Sequence, residues 1–131
     1  MTNLELMNFW IESSEDDYKT MKDLHSTNNN AWALFIGHLV IEKLMKALYA
    51  KTNAEKPHAP KTHNLITLID SCNVEVDQAK NAMLAVINTF NISARYDSYK
   101  KDFKAKATTE YTTQQIKNIE EMRTWLTQLL T

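Results

Sequence analysis

The chain has 131 residues, a hydrophobic content of 44% and a net charge of −1 at pH 7. This length fits one domain, residues 1–131, and the near-neutral charge argues against a protein that binds nucleic acid through its overall charge. With a single glycine, the chain cannot build Walker loops, dinucleotide-binding turns or nucleophile elbows. Because glycine and proline are both scarce, we predict an all-α protein.

The first half of the sequence predicts two long helices. Thr2 and Glu5 form a capping box, and apolar residues at helical spacing continue this helix to about residue 24. Serine, threonine and asparagine at residues 26–30 break the first helix and cap the next. The second helix is predicted over residues 31–51. Since most of its surface is apolar, we expect it to lie at the centre of the bundle.

The second half predicts a short helix followed by two longer ones. Both prolines fall in residues 52–61, which we therefore expect to form a loop. Thr62 is expected to cap a short third helix, and the fourth helix follows from about residue 74, with an apolar face that reaches Ala94. Thr112 and Gln115 predict the start of the last helix. The expected fold is a compact up-and-down bundle of four long helices and one short helix.

The amino-terminal residues lack the basic start and continuous apolar centre of a signal peptide. The longest apolar run is also too short to cross a bilayer, so we expect a cytoplasmic protein with no membrane contact. Cys72 is the single cysteine and cannot form an internal disulfide. We interpret it as a structural thiol.

A charged stripe interrupts the apolar second helix. His38, Glu42 and Lys46 follow one another at spacing four, with Lys43 beside them. On an exposed helix Glu42 and Lys46 would form an ordinary surface ion pair, but an unpaired charge in an apolar helix is costly. We expect Arg95 to be the structural charge partner of Glu42. This pairing would leave surplus positive charge at a pocket mouth, where Lys43 could hold a nucleotide phosphate.

A basic and aromatic segment follows the fourth helix. Residues 95–106 contain five cations and two aspartates. A guanidinium can form two hydrogen bonds to a phosphate while tyrosines stack on bases, as in many sites for single-stranded nucleic acid. Alternatively, the arginine pairs with a carboxylate and the lysines only keep the surface soluble. The candidate binding residues are Arg95, Tyr96, Lys43, Lys100, Lys101 and Lys104.

Two of the four histidines, His58 and His63, are close enough in sequence to suggest a metal site. No third ligand accompanies them at a suitable spacing, so we expect neither a metal nor a cofactor. The ordinary interpretation is a solvated loop histidine and a histidine at a helix start.

Four motifs together resemble the HEPN domain, a family of small helical proteins. They are residues 10–24, the FIGHLVIEKLMKALY helix at 35–49, KTHNL at 61–65 and NISARY at 91–96. The resemblance covers most of the chain and implies a helical bundle that is commonly dimeric. The family includes ribonuclease toxins of toxin–antitoxin systems, nucleotide or nucleic-acid binders, and partners of nucleotidyltransferases.

The chain resembles the ribonucleases of this family only in part, because it carries half of their catalytic motif. They carry an arginine followed four to six residues later by a histidine, and the pair acts across a dimer without a metal. Here Arg95 is present, but the corresponding window reads Tyr99-Lys100-Lys101 and no histidine follows His63. We expect RNA cleavage to be absent or weak. Arg95 and His63, which could reach across the bundle, are the remaining catalytic candidates.

Three functions remain open at this point. The first, which we predict, is a module that binds a nucleotide or single-stranded nucleic acid without efficient catalysis. The second is a metal-independent ribonuclease of toxin type. The third is a dimeric interaction partner of a nucleotidyltransferase. The resemblance implies a homodimer in each case.

Overall fold

The computed structural model describes residues 1–131 apart from the side chain of Ala94, so the predicted apolar contact of Ala94 lies outside the described side chains. The described residues form six helices and no strand, which confirms the all-α prediction. Among them, no helix is both long enough and apolar enough to cross a membrane. The helices are α1 (Asn3–Ser26), α2 (Asn30–Thr52), α3 (Leu65–Ser71), α4 (Gln78–Arg95), α5 (Asp97–Lys106) and α6 (Thr109–Leu130).

Short polar side chains define where several helices begin. The hydroxyl of Thr2 accepts a hydrogen bond from the backbone N–H of Glu5 at 3.1 Å, which confirms the predicted capping residue of α1. Asp77 caps α4 in the same way, accepting from the N–H of Lys80 at 2.8 Å. Each bond satisfies a backbone donor that the first turn of a helix leaves without a partner.

Two predicted helix starts are wrong because a neighbouring residue provides the cap. Asn64, not Thr62, caps α3: its side-chain oxygen accepts from the N–H groups of the first turn, whereas Thr62 accepts from the N–H of Asn64. At α6 the cap is Thr108, one turn before the predicted Thr112. Thr112 is fully buried inside the helix instead.

The basic segment forms a separate helix, α5, so the prediction of four long helices and one short helix is wrong in number. The chain breaks at Tyr96, whose φ of −105° and ψ of 127° are extended, and then starts a new helix. Phe103 attaches α5 to the bundle, since its ring is buried and lies 5.7 Å from the ring of Phe90. The many charged residues of this segment made it difficult to predict the contact between Phe103 and Phe90 from the sequence.

α2 lies at the centre of the bundle, as predicted, and packs against each of the other five helices. Its close approach to α6 depends on Gly37. A Cβ atom at this position would lie 2.5 Å from Cδ1 of Ile119 and 3.1 Å from Sδ of Met21. The absence of a side chain therefore lets the backbone of α2 approach its neighbours more closely than any other residue would allow.

Cys72 is buried beside α2, where its thiol donates to the backbone carbonyl of Met45 at 3.6 Å. Burial raises the pKa of this thiol to about 11, so it stays protonated at neutral pH. The side chain is therefore structural, as predicted.

Candidate functional site

The charged stripe of α2 forms a buried cluster around Glu42. One carboxylate oxygen, Oε1, accepts a hydrogen bond from Nδ1 of His63 at 2.8 Å, and Oε2 accepts from Nζ of Lys46 at 3.1 Å. Lys46 also lies over the ring of Trp10, 4.9 Å from its centroid. Because both oxygens have charge-assisted partners, the helix tolerates a buried carboxylate among apolar residues.

The expected pair between Glu42 and Arg95 does not form. Arg95 is exposed at the end of α4, where its guanidinium donates to the side-chain oxygen of Asn91 at 3.5 Å. Lys43, expected beside that pair, binds Asp17 of α1 at 2.6 Å. This prediction was wrong because His63, from the segment before α3, reaches the carboxylate of Glu42 instead.

His38 lies fully buried one turn before Glu42. Its Nε2 is 2.9 Å from the backbone oxygen of His63, and its Nδ1 is 3.8 Å from Oε1 of Glu42. Burial lowers the pKa of His38 from 6.5 to about 4, although Glu42 opposes this shift. The ring is therefore neutral at pH 7. Its one proton belongs on Nε2, where the carbonyl of His63 accepts it.

His63 has the geometry of an acid–base residue. Its side chain is 55% exposed while Nδ1 is bonded to the buried carboxylate of Glu42. In the neutral ring this bond places the proton on Nδ1 and leaves Nε2 as a hydrogen-bond acceptor. His58 is exposed in the preceding loop, and the described residues contain no group of three metal-ligating side chains.

A second site lies where α5 passes the start of α2. It is a pocket of about 490 Å³, a volume typical of sites for small ligands. Two predicted binding residues, Lys100 and Lys104, lie one helical turn apart in its wall. We call it the Trp32 pocket; its lining residues are Asn28, Asn29, Asn30, Ala31, Trp32, Lys100, Phe103, Lys104 and Ala107.

The indole of Trp32 is the aromatic surface of this pocket. It is 49% exposed, and the ring of Phe35 meets it edge to face with 5.7 Å between centroids. Nζ of Lys100 lies 6.0 Å from the centroid of the indole and also pairs with Asp97 at 3.3 Å. An exposed indole beside two ammonium groups can take a nucleobase and the phosphate attached to it.

A hydrogen bond links the two helices that line the pocket. The amide of Asn30 donates to the backbone oxygen of Ala107 at 3.1 Å, which ties the start of α2 to the end of α5. Asn29, the N-cap residue, makes no side-chain capping bond. The first residues of α2 line the same pocket as the two lysines, and the positive end of a helix dipole favours an anion nearby.

The structure brings only some of the predicted binding residues together. Lys100 and Lys104 share the Trp32 pocket, whereas Lys43 pairs with α1. The other three, Arg95, Tyr96 and Lys101, are exposed but do not line the pocket.

Sequence reasoning did not select Trp32 as a binding residue. Its position in the first turn of α2, just after the polar residues 26–30, was the available signal. The partners of Trp32 in the pocket wall lie some seventy positions further along the chain, which spacing arguments cannot join.

The fold and the site define a small helical bundle with a basic and aromatic pocket. The sequence matches the family model of the HEPN domain over residues 7–129, so the chain belongs to the HEPN family, a group of modules related to nucleotides and RNA in general. The chain is also similar to the crystal structure of TT1696 from Thermus thermophilus, with a TM-score of 0.80 over 95% of this chain and 98% of that one. At 15% identity this likeness shows the fold alone. No curated protein matches the sequence.

We expect Glu42→Ala to lower the free energy of unfolding by about 1.5–3 kcal/mol, because it removes the hydrogen bonds of Lys46 and His63 to a charged group. Lys43→Ala, which removes a less buried pair, should cost about 1 kcal/mol or less. Urea denaturation measures both, and Glu42→Gln serves as a control of nearly equal shape. Equal losses in the two alanine variants would contradict a buried charge centre at Glu42.

The buried His38 predicts a loss of stability in mild acid. Its pKa is about 4 in the fold and 6.5 in the unfolded chain, so the unfolded state binds more protons between these values. The free energy of unfolding should therefore fall by about 3 kcal/mol from this group as the pH drops from 6.5 to 4. The charged and titratable groups that face His38, namely Glu42, Lys46 and His63, are unchanged in His38→Gln.

Urea midpoints measured from about pH 7 to about pH 4 compare the wild type with His38→Gln. The glutamine side chain can still donate to the carbonyl of His63 but does not titrate. The variant should therefore show a flatter dependence on pH. Identical curves for the two proteins would show that His38 does not remain neutral in the fold.

Proposed function

We propose that the chain binds single-stranded RNA or a nucleotide at the Trp32 pocket, without efficient cleavage. The observation that carries this proposal is the shared position of Lys100, Lys104 and the exposed indole of Trp32. Phosphate groups would contact the lysines, and a base would stack on the indole. This combination is typical of proteins that bind single strands with little sequence preference.

The charge of the surrounding segment supports a phosphate ligand. The five cations and two aspartates of residues 95–106 leave a local charge of +3, although the whole chain is slightly acidic. Because Lys100 and Lys104 are one turn apart on α5, both ammonium groups can reach the same phosphate or two neighbouring ones. An uneven charge distribution of this kind steers a polyanion towards one face.

The separate partners of the two catalytic candidates support binding over cleavage. His63 is hydrogen-bonded to Glu42 in the cluster of α2, whereas Arg95 donates to Asn91 on α4. General acid–base cleavage of RNA needs a base and a cation at the same phosphate. The toxin-type ribonuclease is therefore the outcome of the test that would overturn this part of the proposal.

We expect labelled single-stranded RNA to bind the wild type, with a logarithmic salt slope of about −1.4 if two phosphates are contacted. Lys100→Ala and Lys104→Ala should each reduce the slope by about 0.7. Trp32→Ala should raise Kd by roughly 5- to 150-fold, the usual contribution of one stacked base. Fluorescence anisotropy at several salt concentrations measures both quantities.

Lys117→Ala is the matched control, since Lys117 is an exposed lysine on α6 away from the pocket. It should leave both Kd and the slope nearly unchanged. The same samples are then run on a denaturing gel, with Arg95→Ala beside the wild type. RNA shortened only when Arg95 is present would establish a ribonuclease, and no binding at low salt would refute the Trp32 pocket as an RNA site.

The outer face of α4 favours a second candidate function, that of a dimeric interaction protein. A surface helix usually carries charged residues on its exposed side, but α4 has no charged residue between Lys80 and Arg95. Val86, Ile92 and Tyr96 are 37%, 53% and 54% exposed. We call this surface the α4 face; its exposed members are Ala82, Ala85, Val86, Thr89, Ile92 and Tyr96.

We propose that a second copy of the chain covers the α4 face, in an assembly that could hold a nucleotidyltransferase partner. Ile92→Asp should then convert a particle of about twice 15.2 kDa into a monomer, because a carboxylate would be buried without a partner. Sedimentation velocity measures the mass. Thr124→Asp, at an exposed position of α6, is the control. A wild type that is already monomeric would exclude this candidate.

A further inference from the structure

We infer that Lys100 covers the indole of Trp32 until a phosphate draws it away, so that the pocket accepts phosphorylated ligands and excludes nucleosides. This inference rests on the proposed function, because it concerns the same pocket. It assigns Lys100 a second role, in specificity, beyond simple attraction of an anion.

The structure places the cation where a base would stack. Nζ of Lys100 lies over the ring of Trp32, 6.0 Å from its centroid, and both residues line the pocket. Phe35 already packs edge to face against the same indole. A nucleobase needs the space above the ring at a similar centroid distance, so the ammonium and the base compete for it.

Two weak contacts hold the cover in place. One is the cation–π contact with Trp32, and the other is the ion pair with Asp97 at 3.3 Å, in which the carboxylate is almost fully exposed. Contacts of these kinds at exposed positions reduce the affinity for a competing base by roughly 5- to 30-fold in total. A base without a phosphate provides no anionic partner for the ammonium group of Lys100.

A phosphate changes this balance because it gives the ammonium a stronger partner. Charge-assisted hydrogen bonds to phosphate are stronger than an exposed cation–π contact. Lys104 forms no ion pair with any of the described side chains, so it can receive the same phosphate without losing a partner. Once Lys100 turns to the phosphate, the indole is free for the base.

The size of the pocket agrees with a single nucleotide as the recognised unit. Its volume of about 490 Å³ lies within the usual range for small-ligand sites, and it contains one exposed aromatic ring. A base and its own phosphate would be recognised together, since the phosphate draws Lys100 off the indole on which the base then stacks. The pocket therefore selects for a chemical class, a nucleoside carrying a phosphate, and not for a particular base.

Calorimetric titration of the full chain with AMP, adenosine and inorganic phosphate tests this inference. The wild type should bind AMP at least about tenfold more tightly than adenosine. Lys100→Ala should bind AMP more weakly but adenosine roughly 5- to 30-fold more tightly than the wild type does, because the cover is gone. Asp97→Asn should bind AMP more tightly, because it removes a carboxylate that competes with the phosphate.

The outcomes separate this inference from the proposed function. If AMP binds the wild type but Lys100→Ala binds adenosine no better than the wild type, Lys100 is not a cover and the RNA site stands. If RNA binds and AMP does not, the single-nucleotide pocket is wrong. If neither binds, both proposals fail. Far-ultraviolet circular dichroism of each variant checks that the helical bundle is still folded.

Discussion

The burial of one carboxylate, that of Glu42, is the constraint on which the arrangement of this bundle depends. The residue lies in the middle of α2, the helix that touches every other helix. A buried charge without partners costs several kcal/mol, so the chain must bring donors to it. One donor, Lys46, comes from the same helix, and the other, His63, comes from the segment before α3. The need for a donor at Glu42 thereby fixes where the loop between α2 and α3 returns to the core.

The same helix carries two sites of different chemistry. Trp32 and Glu42 are ten residues apart, which corresponds to about 15 Å along the axis. Near Trp32 the surroundings are open, aromatic and cationic, whereas around Glu42 every charge has a partner. The first environment suits a ligand that arrives from solvent. The second stabilises the fold, and the imidazole of His63 is its exposed side.

Sequence reasoning succeeded where the deciding interactions are local. The scarcity of glycine and proline, the cap at Thr2 and the apolar surface of the second helix are all visible within a few residues, and each matches the structure. It placed His38, Glu42 and Lys46 on one stripe correctly for the same reason. It failed for the partner of Glu42 because Arg95 and His63 are equally plausible donors until the path of the loop is known.

The same limit applies to the pocket. Lys100 and Lys104 were selected from their composition, but Trp32 joins them only through tertiary packing of α5 against the start of α2. The break at Tyr96 was hidden by charged residues that suit either a helix or a tail. Local pattern therefore predicted which residues could bind phosphate, and long-range packing decided which of them share a surface.

The close packing at Gly37 restricts which substitutions this chain can accept. A side chain at this position would meet the end of Ile119, 82 positions later in the sequence. A larger residue at 37 requires the side chain of Ile119 to shift or to be smaller, and a smaller residue at 119 leaves a void beside Gly37. Substitutions at the two positions therefore affect one another, and among descendants of this chain we expect them to change together more often than unrelated positions do.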